Sequence, residues 1–118
     1  MKVTFVRHGQ TDWNRAGRMQ GILDIPLNEK GLEQARETAR LLKDEQFDAV
    51  YLSPLLRTRQ TAQIICEGRR VPMIEERRLI ERDMGEFEGK SWDEFDSGLF
   101  WDYIANTSFS CFSCFLSS

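Results

Sequence analysis

Arg7, His8, Gly9, Gln10 and Thr11 follow directly on the apolar run Val3-Thr4-Phe5-Val6, and His8 is the only histidine in the chain. An arginine and an imidazole delivered side by side at the end of a strand suit phosphate chemistry. The guanidinium holds an anion bidentately, the imidazole attacks it, and glycine lets backbone N–H groups approach the oxygens. A third candidate is Arg57, in Ser53-Pro54-Leu55-Leu56-Arg57-Thr58-Arg59-Gln60-Thr61-Ala62. It comes just after a second strand pattern, and in open α/β sheets ligands collect beyond the carboxyl ends of the strands. Arg57 and the Arg7-His8 pair are therefore expected to converge on one crevice, whereas Arg59 reads as a solvated helix arginine. Glu81, ahead of Gly85, would bring a carboxyl group to the same place. By residue type alone it is one of several acids in the run Glu75 to Asp83, most of which must be ordinary surface charges.

Positioning these groups needs strands and helices in alternation. Val3 to Val6 is short and apolar and ends in the Arg-His-Gly turn, as a buried parallel strand would. Gly9 to Pro26 reads as a loop punctuated by Gly17, Gly21 and Pro26. Asn28 is placed to cap a helix in which Leu32, Ala35, Ala39 and Leu42 share one face. Phe47 to Leu52 reads as a second strand closed by Ser53-Pro54. A helix from near Arg57 to a stop at Gly68 follows, then a short strand Val71 to Ile74 near an edge because of Pro72. Ser91-Trp92-Asp93-Glu94 fits a capping box that opens a further helix. Strand, helix, strand is the βαβ pattern of an α/β domain.

At 118 residues the chain holds one domain at most. Its net charge of −3 leaves no general basic footprint, so an anion must be bound by a few placed arginines, and no nucleic-acid partner is expected. No window is long and apolar enough for a spanning helix, and Met1-Lys2-Val3 leads straight into a strand pattern; no membrane partner and a cytoplasmic location are the expectation. The cysteines, Cys66, Cys111 and Cys114, are odd in number, against a secreted disulfide framework. Cys111-Phe112-Ser113-Cys114 has C-x-x-C spacing but no second pair, so no metal site is expected. From Thr107 the character changes: residues 107–118 carry no charge and contain five serines, three phenylalanines and two cysteines. They are separated here, as an atypical tail, from a domain spanning 1–106.

Five ordered motifs now stand together: Arg7-His8-Gly9-Gln10-Thr11-Asp12-Trp13-Asn14; Gly17-Arg18-Met19-Gln20-Gly21; Asp24-Ile25-Pro26-Leu27-Asn28; Ser53-Pro54-Leu55 with Arg57-Thr58 and Gln60-Thr61-Ala62; and Glu81 with Gly85 and Glu88-Gly89. In order and spacing they strongly resemble the histidine phosphatase superfamily, which also contains the cofactor-dependent phosphoglycerate mutases. The resemblance implies a phosphoglycerate mutase-like fold, an α/β three-layer sandwich with a mostly parallel sheet. His8 would be the nucleophile, Arg7 and Arg57 the clamp on the phosphoryl group, and Glu81 the acid that protonates the leaving oxygen. Gly9, Gln10, Thr11, Asn14, Gln20 and Gly21 would line the phosphate pocket. The substrate would be a small phosphorylated metabolite, with no cofactor and no metal; oligomeric state stays open.

The same resemblance implies a second histidine on a further strand, lying between the strands that supply His8 and the Ser53-Pro54 turn. With His8 the sole histidine, that half of the fold is expected to be lacking and the sheet incomplete at its C-terminus. The tail is not expected to fill the slot, because its phenylalanines recur at every third position instead of alternating. The favoured reading is a phosphomonoester hydrolase working through phosphohistidine on His8, truncated and weakly active. A product that only binds phosphate or a protein partner, and a phosphoglycerate mutase, are the alternatives.

Overall fold

In a computed structural model, residues 2–18, 20–79, 88–89 and 112–117 are described. Strand β1 (Lys2–Arg7) leads into the short helix α1 (Asp12–Arg15) and then α2 (Glu29–Leu41). Strand β2 (Ala49–Leu52), helix α3 (Leu56–Ile65) and strand β3 (Met73–Glu75) follow, then a single 3-10 turn at Arg77–Leu79, and β4 (Phe112–Ser117) completes the order. The expected helix from Ser91 lies outside the described residues.

Each helix is explained by its ends. Asn28, extended at φ −87, accepts from the Gly31 N–H and so caps α2 as its residue type predicts. Thr11 and Asn14 form a reciprocal capping box around α1, inside a stretch expected to be loop. The residue ahead of α3, Leu55, is extended and has no capping side chain. Its Leu56 N–H is taken instead by the Asp24 carboxylate from the preceding loop.

The sheet order is β1-β4-β2-β3. Strands β2 and β3 are parallel, while β4 runs antiparallel to both β1 and β2. The sheet is therefore mixed, which corrects the expectation of a mostly parallel one. The physical reason is the source of the inner strand: the tail enters between β1 and β2 from the end at which those strands finish. Arg7 pairs with Phe112 and Leu52 with Ser113, at the carboxyl ends of β1 and β2.

The tail thus fills the slot that its phenylalanine spacing argued against. The alternation is carried by the buried Ser113 and Phe115 against the half-buried Leu116, so counting aromatic positions alone missed it. Two cross-strand rows face α3: Thr4–Phe115–Val50–Met73 and, nearer the carboxyl ends of β1 and β2, Val6–Ser113–Leu52. Phe115 is fully buried, with its ring 4.9 Å from that of Phe47. Around it, Val6, Val50, Leu52, Ala62, Ile65 and Cys66 make up the core. Helix α3 packs on β2 and β4, and α2 packs on α3.

Strand β1 was expected to be buried and parallel. It lies at one end of the four-strand order, antiparallel to its neighbour, with Val3 still 40% exposed. Strand β3 occupies the opposite edge, as Pro72 required; the missing N–H of that proline costs nothing there, and its carbonyl accepts from Val50 N–H. Among the described residues no helix is long and apolar enough to cross a membrane.

Candidate active site

The carboxyl ends of β1 and β2 carry the residues that the sequence singled out. His8 is the first residue after β1 and is 8% exposed. Its Nδ1 lies 2.6 Å from the carbonyl oxygen of Gly9. A carbonyl only accepts, so Nδ1 must carry the ring proton, which leaves Nε2 with its lone pair. Burial pushes the imidazole pKa down from 6.5 to about 4, against the Gly9 hydrogen bond that favours the charged form. The positive charges of Arg57 and Arg7 lower it further. The ring is consequently neutral near pH 7, the state a nitrogen nucleophile needs.

The turn after His8 is held on two sides. Gly9 N–H donates to Thr61 Oγ1 of α3 at 3.1 Å, and Gln10 N–H to Gln34 Oε1 of α2 at 2.9 Å. Backbones meet closely at this point. A Cβ at Gly9 would stand 2.4 Å from the Gly31 carbonyl oxygen, and one at Gly31 would stand 2.1 Å from that of Gln10. Both glycines are therefore dictated by the approach of the turn to the first turn of α2. A cleft of about 390 Å³ opens beside this junction, with Arg7, His8 and Gly9 on one wall and Gln34, Thr38 and Thr61 on the other.

Arg57 sits in the first turn of α3 and is fully buried. Two of its guanidinium nitrogens donate to the carbonyls of Leu23 at 2.6 Å and Gly21 at 2.7 Å. Its Nε is buried and has no partner among the described residues. Arg57 thus fastens the loop of residues 20–24 over the sheet end through two of its nitrogens while its Nε stays uncommitted, and its charge acts on His8. Arg7, by contrast, is exposed at the end of β1. Arg59 behaves as the sequence suggested, reaching outward to Glu75.

The other candidates fall in two groups. Thr11, Asn14 and Gln20 form one polar knot, with the Thr11 hydroxyl within hydrogen-bond reach of both carboxamides and Gln20 buried. The Gln10 side chain turns away to the α2 cap, where its Oε1 accepts from Asn28 Nδ2. Gly21 has φ +54 and packs against the Glu88 carboxylate, which accepts from Ile22 N–H. Glu81 lies outside the described residues, as does Cys111 of the C-x-x-C pair. Sequence reasoning missed Thr61, Gln34 and Gly31 as parts of the site. The one sequence signal for them was Thr61 standing four residues, one helical turn, after Arg57.

Three comparisons bear on this geometry. Residues 3–109 match the pattern of the histidine phosphatase superfamily (branch 1). The uncharacterized phosphatase PhoE of Bacillus subtilis is 47% identical over 92 residues, covering 78% of this chain and 48% of that protein. A probable phosphoglycerate mutase, GpmB of Photorhabdus laumondii, is 42% identical over 97 residues, covering 82% and 45%. Among solved structures, the Entamoeba histolytica phosphoserine phosphatase in complex with 3-phosphoglyceric acid superposes with a TM-score of 0.74 at 34% identity, covering 90% of this chain and 53% of that one. The chain spans about half the length of the relatives it matches.

Proposed function

The chain belongs to the histidine phosphatase superfamily, and from that premise we propose that it is a phosphomonoester hydrolase acting through a phosphohistidine on His8. The substrate class is a small phosphorylated metabolite, and phosphoserine and 3-phosphoglycerate are the first compounds to try, given the phosphoserine phosphatase that it resembles. His8 Nε2 attacks the phosphorus while the bond to the alcohol oxygen breaks. Arg7 and the spare Nε of Arg57 stabilise the phosphoryl oxygens, and the Glu81 carboxyl gives its proton to the departing alkoxide. A water then attacks the phosphohistidine and passes its proton to the Glu81 carboxylate. Phosphate leaves and the imidazole is regenerated.

The observation that carries this reading is the state of His8, a buried and neutral imidazole whose Nδ1 is tied to Gly9. The test is hydrolysis of p-nitrophenyl phosphate, phosphoserine and 3-phosphoglycerate by the chain and by His8→Ala. Loss of turnover is expected in the variant, together with loss of an acid-labile, base-stable phosphoryl label, and activity should survive a chelator. A variant as fast as the parent would remove His8 from the reaction. An isomer formed from 3-phosphoglycerate, in place of free phosphate, would turn the reading to a mutase.

A further inference from the structure

We propose that Thr61 is a positioning residue for His8, its buried hydroxyl setting the plane of the His8–Gly9 peptide from which the imidazole reaches the Gly9 carbonyl. This deepens the phosphohistidine reading. Thr61 is 2% exposed and donates its hydroxyl proton to the Arg57 carbonyl at 2.8 Å. That bond to the carbonyl four residues back is ordinary for a helical threonine. The use of its lone pair is not: it accepts from Gly9 N–H, 52 residues away in sequence. With the proton committed to Arg57, the oxygen has only acceptor character to offer Gly9, so the direction of the contact is fixed.

The consequence passes along two adjoining peptides. Thr61 holds the N–H side of Gly9, and His8 Nδ1 bonds the carbonyl on its other side. Glycine is the residue with the most backbone freedom, and here the Gly31 backbone and the Thr61 hydroxyl remove it. Without the hydroxyl, Gly9 N–H is either left buried and unpaired or rotates toward water, and the His8–Gly9 peptide turns the imidazole away from a Gly9 carbonyl whose own peptide stays held through Gln10 N–H and Gln34. Around the imidazole, Arg7 and Arg57 supply positive charge and Glu37 of α2 lines the same cleft. The ring orientation thus decides which nitrogen faces the cations.

Because His8 is the only histidine, nitrogen-15 NMR of the imidazole reads one ring with no assignment problem. In the full chain the ring should show the Nδ1–H form and a titration midpoint near 4, well under the ordinary 6.5. Thr61→Ser, which keeps the hydroxyl, should reproduce both. Thr61→Val should give mixed tautomers and a midpoint moved further down, because the Gly9 bond that favours the charged ring is weakened while burial and the two arginines remain. Turnover of p-nitrophenyl phosphate by Thr61→Val should fall about tenfold or more in kcat with KM little changed, and return in Thr61→Ser. A folded Thr61→Val with unmoved tautomer and midpoint overturns the proposal. Should Thr61→Val not fold, hydrogen exchange of the Gly9 amide in the parent decides: protection supports the contact, and exchange at the rate of an unstructured glycine overturns it. Expected ring behaviour without any turnover would sink the phosphatase reading and leave Thr61 in its role.

Discussion

Replacing Phe115 by alanine tests whether the uncharged tail is part of the fold. Phe115 is fully buried in the row Thr4–Phe115–Val50–Met73, and its ring leans on Phe47. Truncating a core phenylalanine costs about 3 to 5 kcal/mol through lost transfer energy and the cavity left behind. A domain of this length carries roughly 6 to 18 kcal/mol of stability, so one tail residue would take a large share of it. Urea unfolding followed by far-UV circular dichroism and tryptophan fluorescence should show a midpoint lower by roughly 2 M, since m is about 1 to 3 kcal/mol/M for small domains.

Two controls make the result specific to the register. Ser113 sits two residues before Phe115 on the same face and is 1% exposed, but its Oγ has no partner among the described residues. Ser113→Ala removes a buried, unsatisfied hydroxyl and should leave the midpoint unchanged or raise it. Leu41 is 75% exposed, and Leu41→Ala should barely register. If Phe115→Ala shifts the midpoint no more than Leu41→Ala does, the tail is not in the sheet. If Ser113→Ala is as damaging as Phe115→Ala, the strand pairs in another register.

Stability should depend on pH through His8. Its folded pKa of about 4 lies below the ordinary 6.5, so the unfolded chain binds the extra proton between those values and stability falls as pH drops through that window. The loss approaches about 3 kcal/mol by pH 4 and should vanish in His8→Gln when urea midpoints are compared at pH 7 and pH 4.5. For the clamp, Arg57→Ala removes charge-assisted bonds of about 1.5 to 3 kcal/mol and should weaken phosphate or vanadate binding roughly ten- to a hundredfold by calorimetry. Arg59→Ala should change little, and equal losses at the two positions would refute the placement of Arg57.

What the sequence made legible was local chemistry. Arg7-His8-Gly9 at a strand end, Asn28 as a cap, the helix after Ser53-Pro54 and the edge position forced by Pro72 each follow from the residue in place, and each is found. What stayed hidden depends on contacts distant in sequence. Asp24 caps α3 from 32 residues before Leu56, and only the absence of a polar residue at Leu55 hinted that a cap must come from elsewhere. Thr61 and Gln34 reach the His8 turn from two helices, and Gly31 looked like an ordinary helix residue until its backbone was seen against Gln10. Strand β4 was the least legible element. Serine and cysteine give little strand signal, and no pattern within residues 112–117 reveals which way the strand runs.

The direction of β4 matters less to the site than its presence. His8 and Arg57 follow β1 and β2, which are not neighbours in the sheet but are separated by one strand. Adjacent strands lie about 4.8 Å apart, so β4 holds the two carboxyl ends roughly 10 Å from each other whichever way it runs. Across that gap the two ends are also tied by the Thr61 hydroxyl, bonded to Gly9 on one side and to the Arg57 carbonyl on the other. The spacing of nucleophile and clamp therefore rests on a strand below and a hydroxyl above. Loosening the strand through Phe115 acts on the sheet as a whole, whereas Thr61→Val acts on the tie between the His8 turn and the first turn of α3. Stability should follow the first change, and the protonation state of His8 the second.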